Sequence, residues 1–299
     1  MKLYGIEQFR FSGSHIHRYN ACPGSAVLSE AIPGFTGNGE ERKATTKGSR
    51  LHKVFQLILE ECSDLLSAAD MLDELADVFG KNRVALLLDE KQYIIWWFTK
   101  YNVLPPIEFH IITMLYNITP AVTEIDELTE KDVVLTPEKV NNTSPALIRF
   151  IAESIRYIYE LIYERKDITV LTEETRIAEW TATKPRTTAD VVITDGKVLH
   201  IIDFKTGTIP VEASDNDQLL YYAETYRQNE ETIHLHILQP KRQSEWEIPK
   251  GYLEEWVVRS LQAENKILKG NRTLQPGSHC QFCPANPYSK GERGTPLCP

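Results

Sequence analysis

RTTADVVITDGKVLHIIDFKTGTIPVEASDNDQLLYYA, residues Arg186 to Ala223, is the stretch on which the fold turns. Two apolar runs rich in β-branched residues, Ala189 to Thr194 and Lys197 to Asp203, are separated only by Asp195-Gly196, a dipeptide that suits a tight hairpin turn. With those two residues as the turn, Thr194 lies opposite Lys197 and Asp190 opposite Ile201. Strand faces alternate with period two, so Asp190, Asp203 and Lys205 share one face. Asp190 and Asp203 then stand in a diagonal relation, with Cα atoms roughly 7–8 Å apart, close enough to hold one cation between them.

An oxygen-only pair of carboxylates suits a hard ion such as Mg²⁺ or Mn²⁺, which keeps waters for a substrate phosphate to replace. Such an ion lowers the pKa of a bound water and offsets charge that builds on a phosphate. Lys205, a compact point charge, can orient that water or hold the phosphate. The acid-x-Lys triplet alone carries little weight, because Asp89-Glu90-Lys91, Glu41-Arg42-Lys43, Glu164-Arg165-Lys166 and Glu264-Asn265-Lys266 share it. Context sets Asp203-Phe204-Lys205 apart: it ends an apolar strand, follows a matching acid across a hairpin, and precedes a helix with Gln218 and Tyr222. The alternative is an ordinary edge hairpin with solvated charges.

The rest of the composition bounds the answer. The chain has 299 residues, enough for one large domain or two small ones. Its 33 Lys and Arg against 42 Asp and Glu give a net charge of −9, which argues against a protein that coats nucleic acid non-specifically but leaves room for a confined groove. The N-terminus lacks a continuous apolar signal segment and no run reaches the length of a membrane span, so the expected setting is a reducing cytoplasm. There the five cysteines read as metal ligands or free thiols rather than as disulfides.

Read in order, Cys22 sits on a turn before a helical stretch. A Gly-rich charged segment follows, with a basic cluster at Arg42, Lys43, Lys47, Arg50 and Lys53. That cluster reads either as a solvated face or as a contact to a phosphate backbone, Lys47 and Arg50 foremost. Helical spacing marks 48–61, where His52 could be a core residue or a ligand, then an acidic helix over 63–80 and an apolar one over 84–100. Trp96-Trp97-Phe98 in the latter fits a core better than base stacking. Residues 119–145 read as a loop. Ser144 and Pro145 start a helix with Ile148, Ile151, Ile155, Ile158 and Ile162 on one face. A strand over 168–177, a helix over 214–228 that places Gln218 and Tyr222 on one face, a strand over 232–238 and a helix over 252–268 complete the pattern.

Cys280-Gln281-Phe282-Cys283 lies in a Gly- and Pro-rich tail, with Cys298 beyond it. With Cys22 these make four thiols, three of them followed by Pro, and Cys62 is left inside a helix. Four thiolates bind either Zn²⁺ or an iron–sulfur cluster, and spacing does not choose between them.

The order Asp190, Asp203-Phe204-Lys205 and Gln218-x3-Tyr222 resembles the PD-(D/E)XK nucleases of the RecB and Cas4 type, most of all the phage-encoded, DUF2800-like Cas4 group with a cysteine-bound cluster. Cys22-Pro23-Gly24-Ser25, Gly48-x3-His52, Glu174-x-Arg176 and Gln239-Pro240-Lys241 extend the resemblance; Thr187 departs from it, standing where relatives have Gly. The matching segments are scattered over 14–60 and 170–299. The resemblance implies that His52, Asp190 and Asp203, with Glu174 as a further acid, hold the metal. It also implies that Lys205 serves catalysis, that Gln218 and Tyr222 position DNA and the lysine, and that Cys22, Cys280, Cys283 and Cys298 hold a 4Fe–4S cluster, with Zn²⁺ as the alternative.

The expected architecture is α/β: a restriction-endonuclease-like mixed sheet flanked by helices, with a helical insertion and a cysteine clasp joining the termini. Its segments are 1–62, 63–166, 167–270 and 271–299, integrated into one domain. The expected activity is metal-dependent DNA hydrolysis, by an exonuclease acting on single strands or free ends. The alternative is a catalytically inactive DNA-binding or assembly subunit of a recombination or phage complex. A replication or recombination partner, or a second copy of the chain, fits either reading.

Overall fold

The computed structural model describes residues 9–30, 52, 54–56, 58–60, 64–81, 119–120, 133–134, 145–163, 165, 167–207 and 209–283. Predicted features at 31–50, 84–100, Ser144 and 284–299 lie outside them, and with them Lys47, Arg50, Cys62 and Cys298.

Five strands form one sheet in sequence order: β3 (Thr169–Ile177), β4 (Arg186–Thr194), β5 (Val198–Phe204), β6 (Thr232–Gln239) and β7 (Arg242–Glu247). All neighbours are antiparallel except β5 and β6, which run parallel and are joined through a helix, α5 (Asp217–Tyr226). A parallel pair requires such a crossover. The helix starts at Asp217, three residues later than the expected 214, because Asn216 supplies the cap: its side chain accepts from the backbone N–H of Gln218 and Leu219. β7 was not anticipated, since RQSEWE on a sheet edge has one solvated face and no apolar run to signal it.

The hairpin forms with a different turn. Thr194 pairs with Leu199 and Val191 with Ile202, so the turn residues are Gly196 and Lys197 rather than Asp195 and Gly196. Asp195 causes the slide: its side chain accepts from the backbone N–H of Lys197 at 2.9 Å and Val198 at 2.8 Å, and Gly196 takes φ +82°. The register therefore moves by two residues, which keeps every side chain on its expected face. Continued one step, it sets Asp190 directly across from Asp203 instead of diagonal to it.

Each face of the sheet is covered. Val191, Ile193, Ile202, Phe204 and Leu238 pack with Val54, Phe55 and Ile58 and with two helices, α3 (Leu65–Lys81) and α4 (Pro145–Ile162). Arg156 of α4 ties the two helices together through Asp70 and Asp73, at 2.6 Å each. Between them in sequence, 119–145 is not wholly a loop: β1 (Thr119–Pro120) and β2 (Val133–Val134) pair antiparallel. The opposite face carries Val192, Leu199, Ile201, Leu235 and Ile237 beneath α1 (Gly13–Ala21), α5 and α6 (Tyr252–Leu268). A further short helix, α2 (Gly24–Glu30), follows α1. No helix among the described residues is long and apolar enough to cross a membrane.

One polar chain runs past α4, with His200 and His236 buried and its ends, Arg165 and Glu245, exposed. Arg165 can only donate, so His200 Nε2 accepts from it at 3.2 Å, which puts the His200 proton on Nδ1. That proton goes to His236 Nε2 at 2.9 Å, His236 Nδ1–H then donates to the Tyr157 hydroxyl at 2.8 Å, and Tyr157 donates to Glu245 at 3.3 Å. Both imidazoles must be neutral for the chain to close.

Candidate metal centre and its surroundings

The acids of the hairpin meet a third acid from β3 and an imidazole from the helical residues at 52–60. The β3–β4 ladder pairs Thr172 with Val191 and Glu174 with Ala189, and the intervening pair is Glu173 with Asp190. Glu173 has φ +48°, a left-handed value uncommon for a non-glycine residue, at the step where the ladder is interrupted. His52 Nδ1 lies 3.2 Å from Asp190 Oδ1 and 3.6 Å from Glu173 Oε1. His52, Glu173 and Asp190 each offer a ligand atom within 4.8 Å of the others. Burial alone would lower the His52 pKa, but hydrogen bonds and charge from Asp190 and Glu173 outweigh it and raise it to about 10. A positive charge thus sits between two carboxylates, the electrostatic role that a divalent ion would take over.

Asp190 and His52 are both held from behind by Phe204. Its backbone N–H donates to Asp190 Oδ2 at 2.8 Å, and its ring stacks on Phe55, one helical turn beyond His52, with centroids 3.7 Å apart. Asp203, the residue before Phe204, is buried, and its Oδ2 lies 2.8 Å from Lys205 Nζ in an ion pair. Burial first, then the charge of Asp190, pushes the Asp203 carboxyl up to about 6 despite Lys205. The three converging ligand atoms of His52, Glu173 and Asp190 fit a hard cation with oxygen and imidazole donors, while Asp203, expected as a ligand, stands outside that group.

Gln218 holds the other side. Its Oε1 accepts from Lys205 Nζ at 3.1 Å, while Nε2 donates to Asp203 Oδ1 at 3.2 Å and to the Tyr222 hydroxyl at 2.8 Å. The expected i, i+4 pair on α5 is therefore one hydrogen-bonded unit with the acid and the lysine. Glu174, expected as the further acid, is placed elsewhere. Its side chain is 43% exposed and stands 4.0 Å from Arg176, and its carbonyl accepts from the Tyr226 hydroxyl. The acid that joins the group is its neighbour Glu173, and the only sequence signal for it was the doublet itself.

At the other end of α1, Cys22 and Cys283 are buried and Cys280 is half-buried, all three as free thiols. The backbone N–H of Gln275 donates to Cys22 Sγ and that of Gly277 to Cys280 Sγ, each at 3.4 Å. The turn after Cys22 meets the C-terminal segment closely: Gly24 N–H donates to the Thr273 carbonyl at 3.2 Å, and a Cβ on Gly24 would fall 2.6 Å from that oxygen. Residues 22–24 are therefore bonded to the C-terminal segment at Thr273 and Gln275. A cavity of about 340 Å³ lies farther along the sheet end, between α4 and the β6–β7 turn, lined by Ser154, Gln239, Lys241 and Arg242 among others.

Comparison with known proteins adds the following. A solved structure titled "Crystal structure of SSO0001" aligns over 80% of this chain and 93% of its own, at 12% identity and a TM-score of 0.30, a level that carries no argument about fold or function. No curated protein matches the chain. The model of the family described as "Protein of unknown function (DUF2800)" matches residues 9–293, nearly the whole length, and the chain therefore belongs to the DUF2800 family.

Proposed function

We propose that this protein is a metal-dependent deoxyribonuclease with a PD-(D/E)XK core, an exonuclease that hydrolyses phosphodiester bonds in single strands or at free ends. The observation that carries the reading is the meeting of His52, Glu173 and Asp190 within ligand distance of one another, beside the buried Asp203–Lys205–Gln218 unit. His52, Glu173, Asp190 and Asp203 would hold Mg²⁺ or Mn²⁺. That ion, when bound, would activate a water and neutralise charge on the phosphate. Lys205 would present its ammonium to the scissile phosphate, Asp203 would keep that ammonium charged, and Gln218 would fix where it points.

The cysteines enter the same proposal as ligands of a 4Fe–4S cluster that clasps the two ends of the chain. Sulfur atoms that accept backbone N–H bonds, as those of Cys22 and Cys280 do, suit a bound cluster or zinc. Cys298 is the fourth ligand in this reading.

The test uses protein purified without oxygen and given end-labelled single- and double-stranded DNA with Mn²⁺ or Mg²⁺. Cleavage by the parent and its loss in both Asp203→Ala and Lys205→Ala support the proposal. Intact, metal-loaded parent that binds DNA and cuts nothing replaces it with the DNA-binding subunit.

A further inference from the structure

α1 touches the Gln218 unit at one end and carries the cysteine turn at the other. In its first turn Gly13 backs directly onto α5: a Cβ there would come within 3.1 Å of both the Tyr222 and the Tyr221 rings. In its middle, His17 Nδ1 and Asn20 Nδ2 reach the same side chain, Asp217, at 2.9 and 3.2 Å. Trp256 Nε1 of α6 reaches it as well, at 2.6 Å. At its C-terminus Cys22 donates its N–H back to the Arg18 carbonyl and accepts from Gln275 at its sulfur.

Asp217 is the first residue of α5 and the immediate neighbour of Gln218. It points away from the hairpin, into the junction of α1 and α6, while Gln218 points at Lys205 and Asp203. Its carboxylate is mostly buried and has three donors from two helices, so it fixes the first turn of α5 in both rotation and height. A carboxylate that needed only to cap the helix would not require them: Asn216 already serves the N–H of Gln218 and Leu219. The three donors instead tie the start of α5 to the helix that ends in Cys22.

We propose that Asp217 is a positioning residue: through His17, Asn20 and Trp256 it sets Gln218 against Lys205 and Asp203, and it makes that setting depend on how the Cys22 end of α1 is anchored. The inference rests on the reading of Lys205 and Asp203 as the working pair of the site, yet it can be tested without any cleavage.

Gln218 offers the readout, because both Nε2 protons are in use, on Asp203 and on Tyr222. In full-length protein labelled with ¹⁵N-glutamine, its side-chain amide is assigned by its loss in Gln218→Met. That signal should stand apart from free glutamine amides in the parent and in Asp217→Asn, which keeps an acceptor for Trp256 and Asn20. Asp217→Ala should collapse it to the free position, and His17→Ala, a change at an exposed residue that leaves folding intact, should move it part of the way. Cys22→Ser should move it in the parent background and not in Asp217→Ala. If Asp217→Ala lowers only the melting temperature and the Gln218 signal stays put, Asp217 is merely structural and the proposal fails. If Asp217→Ala does not fold, an unmoved signal in both His17→Ala and Cys22→Ser overturns it equally. Absence of DNA cleavage by the parent would remove the nuclease reading and leave this result standing.

Discussion

Glu173 stands across from Asp190 at the one step where the β3–β4 ladder is interrupted, and it takes a left-handed backbone conformation there. In a regular strand, neighbouring residues point to opposite faces. The register, which is the same on both sides of that step, puts Glu173 rather than Glu174 on the face of Asp190. Glu173→Gln should weaken Mn²⁺ binding by at least the roughly 10–100-fold that loss of a ligand's own hydrogen-bond partner costs, whereas Glu174→Gln should leave it unchanged. Calorimetric titration of the two variants distinguishes them, and equal affinities would remove Glu173 from the centre.

The Gln218 amide bridges Lys205, Asp203 and Tyr222, so its loss should cost more than loss of the Tyr222 hydroxyl alone. Tyr222→Phe removes a single acceptor and should slow single-turnover cleavage by no more than about tenfold, the effect of one ordinary hydrogen bond. Gln218→Ala should slow it more, since Lys205 and Asp203 both lose a partner. Lys205→Arg should not restore activity, because a planar fork does not replace a point charge held at 2.8 Å from Asp203. A Tyr222→Phe variant slower than Gln218→Ala would contradict this order.

The His200–His236 pair should lose stability in acid, below the ordinary histidine range. Burial first, then neighbouring charge, pushes His200 down to about 4 and His236 to about 3. An unfolded histidine titrates near 6.5, so below about that pH the unfolded chain binds protons that the native chain refuses. The contribution is complete above about pH 6.5 and is lost as pH drops toward the folded values, by up to about 1.4 kcal/mol per unit for each histidine. Urea midpoints at pH 7.5 and 5 measure it. His236→Gln, which can still serve Tyr157, should lose less stability than the parent between the two pH values, and an equal loss in parent and variant would exclude the contribution.

Cluster content can be read directly. Anaerobically purified parent should be coloured and hold iron and acid-labile sulfide, and Cys22→Ala, Cys280→Ala, Cys283→Ala and Cys298→Ala should each lose both. A colourless parent with one zinc per chain would select the zinc alternative. Loss of iron in the first three variants and its retention in Cys298→Ala would move the fourth ligand elsewhere.

Much of the site was legible in advance because period-two alternation survives a sliding turn. The hairpin closes one residue later than Asp195-Gly196 suggested, yet Asp190, Asp203 and Lys205 stay together, since the register moved by an even number. Gln218 and Tyr222 were legible for the analogous reason on a helix. Glu173 was not, because no residue pattern marks a left-handed step inside a strand. α1 was not either: GSHIHRYNA has little apolar character, and it is held by contacts that lie about 200 residues away, at Asp217, Tyr221 and Tyr222. β7 escaped notice because its polar composition is what a sheet edge permits.

Phe204, the residue between Asp203 and Lys205, fastens the centre to two separate bodies: by its N–H to the hairpin and by its ring to the 52–60 segment. Three of the proposed ligands ride on the sheet and His52 on that segment, with an aromatic stack between them. Without that stack His52 would lose its tie to the sheet, while Glu173, Asp190 and Asp203 would stay fixed by the strands that carry them.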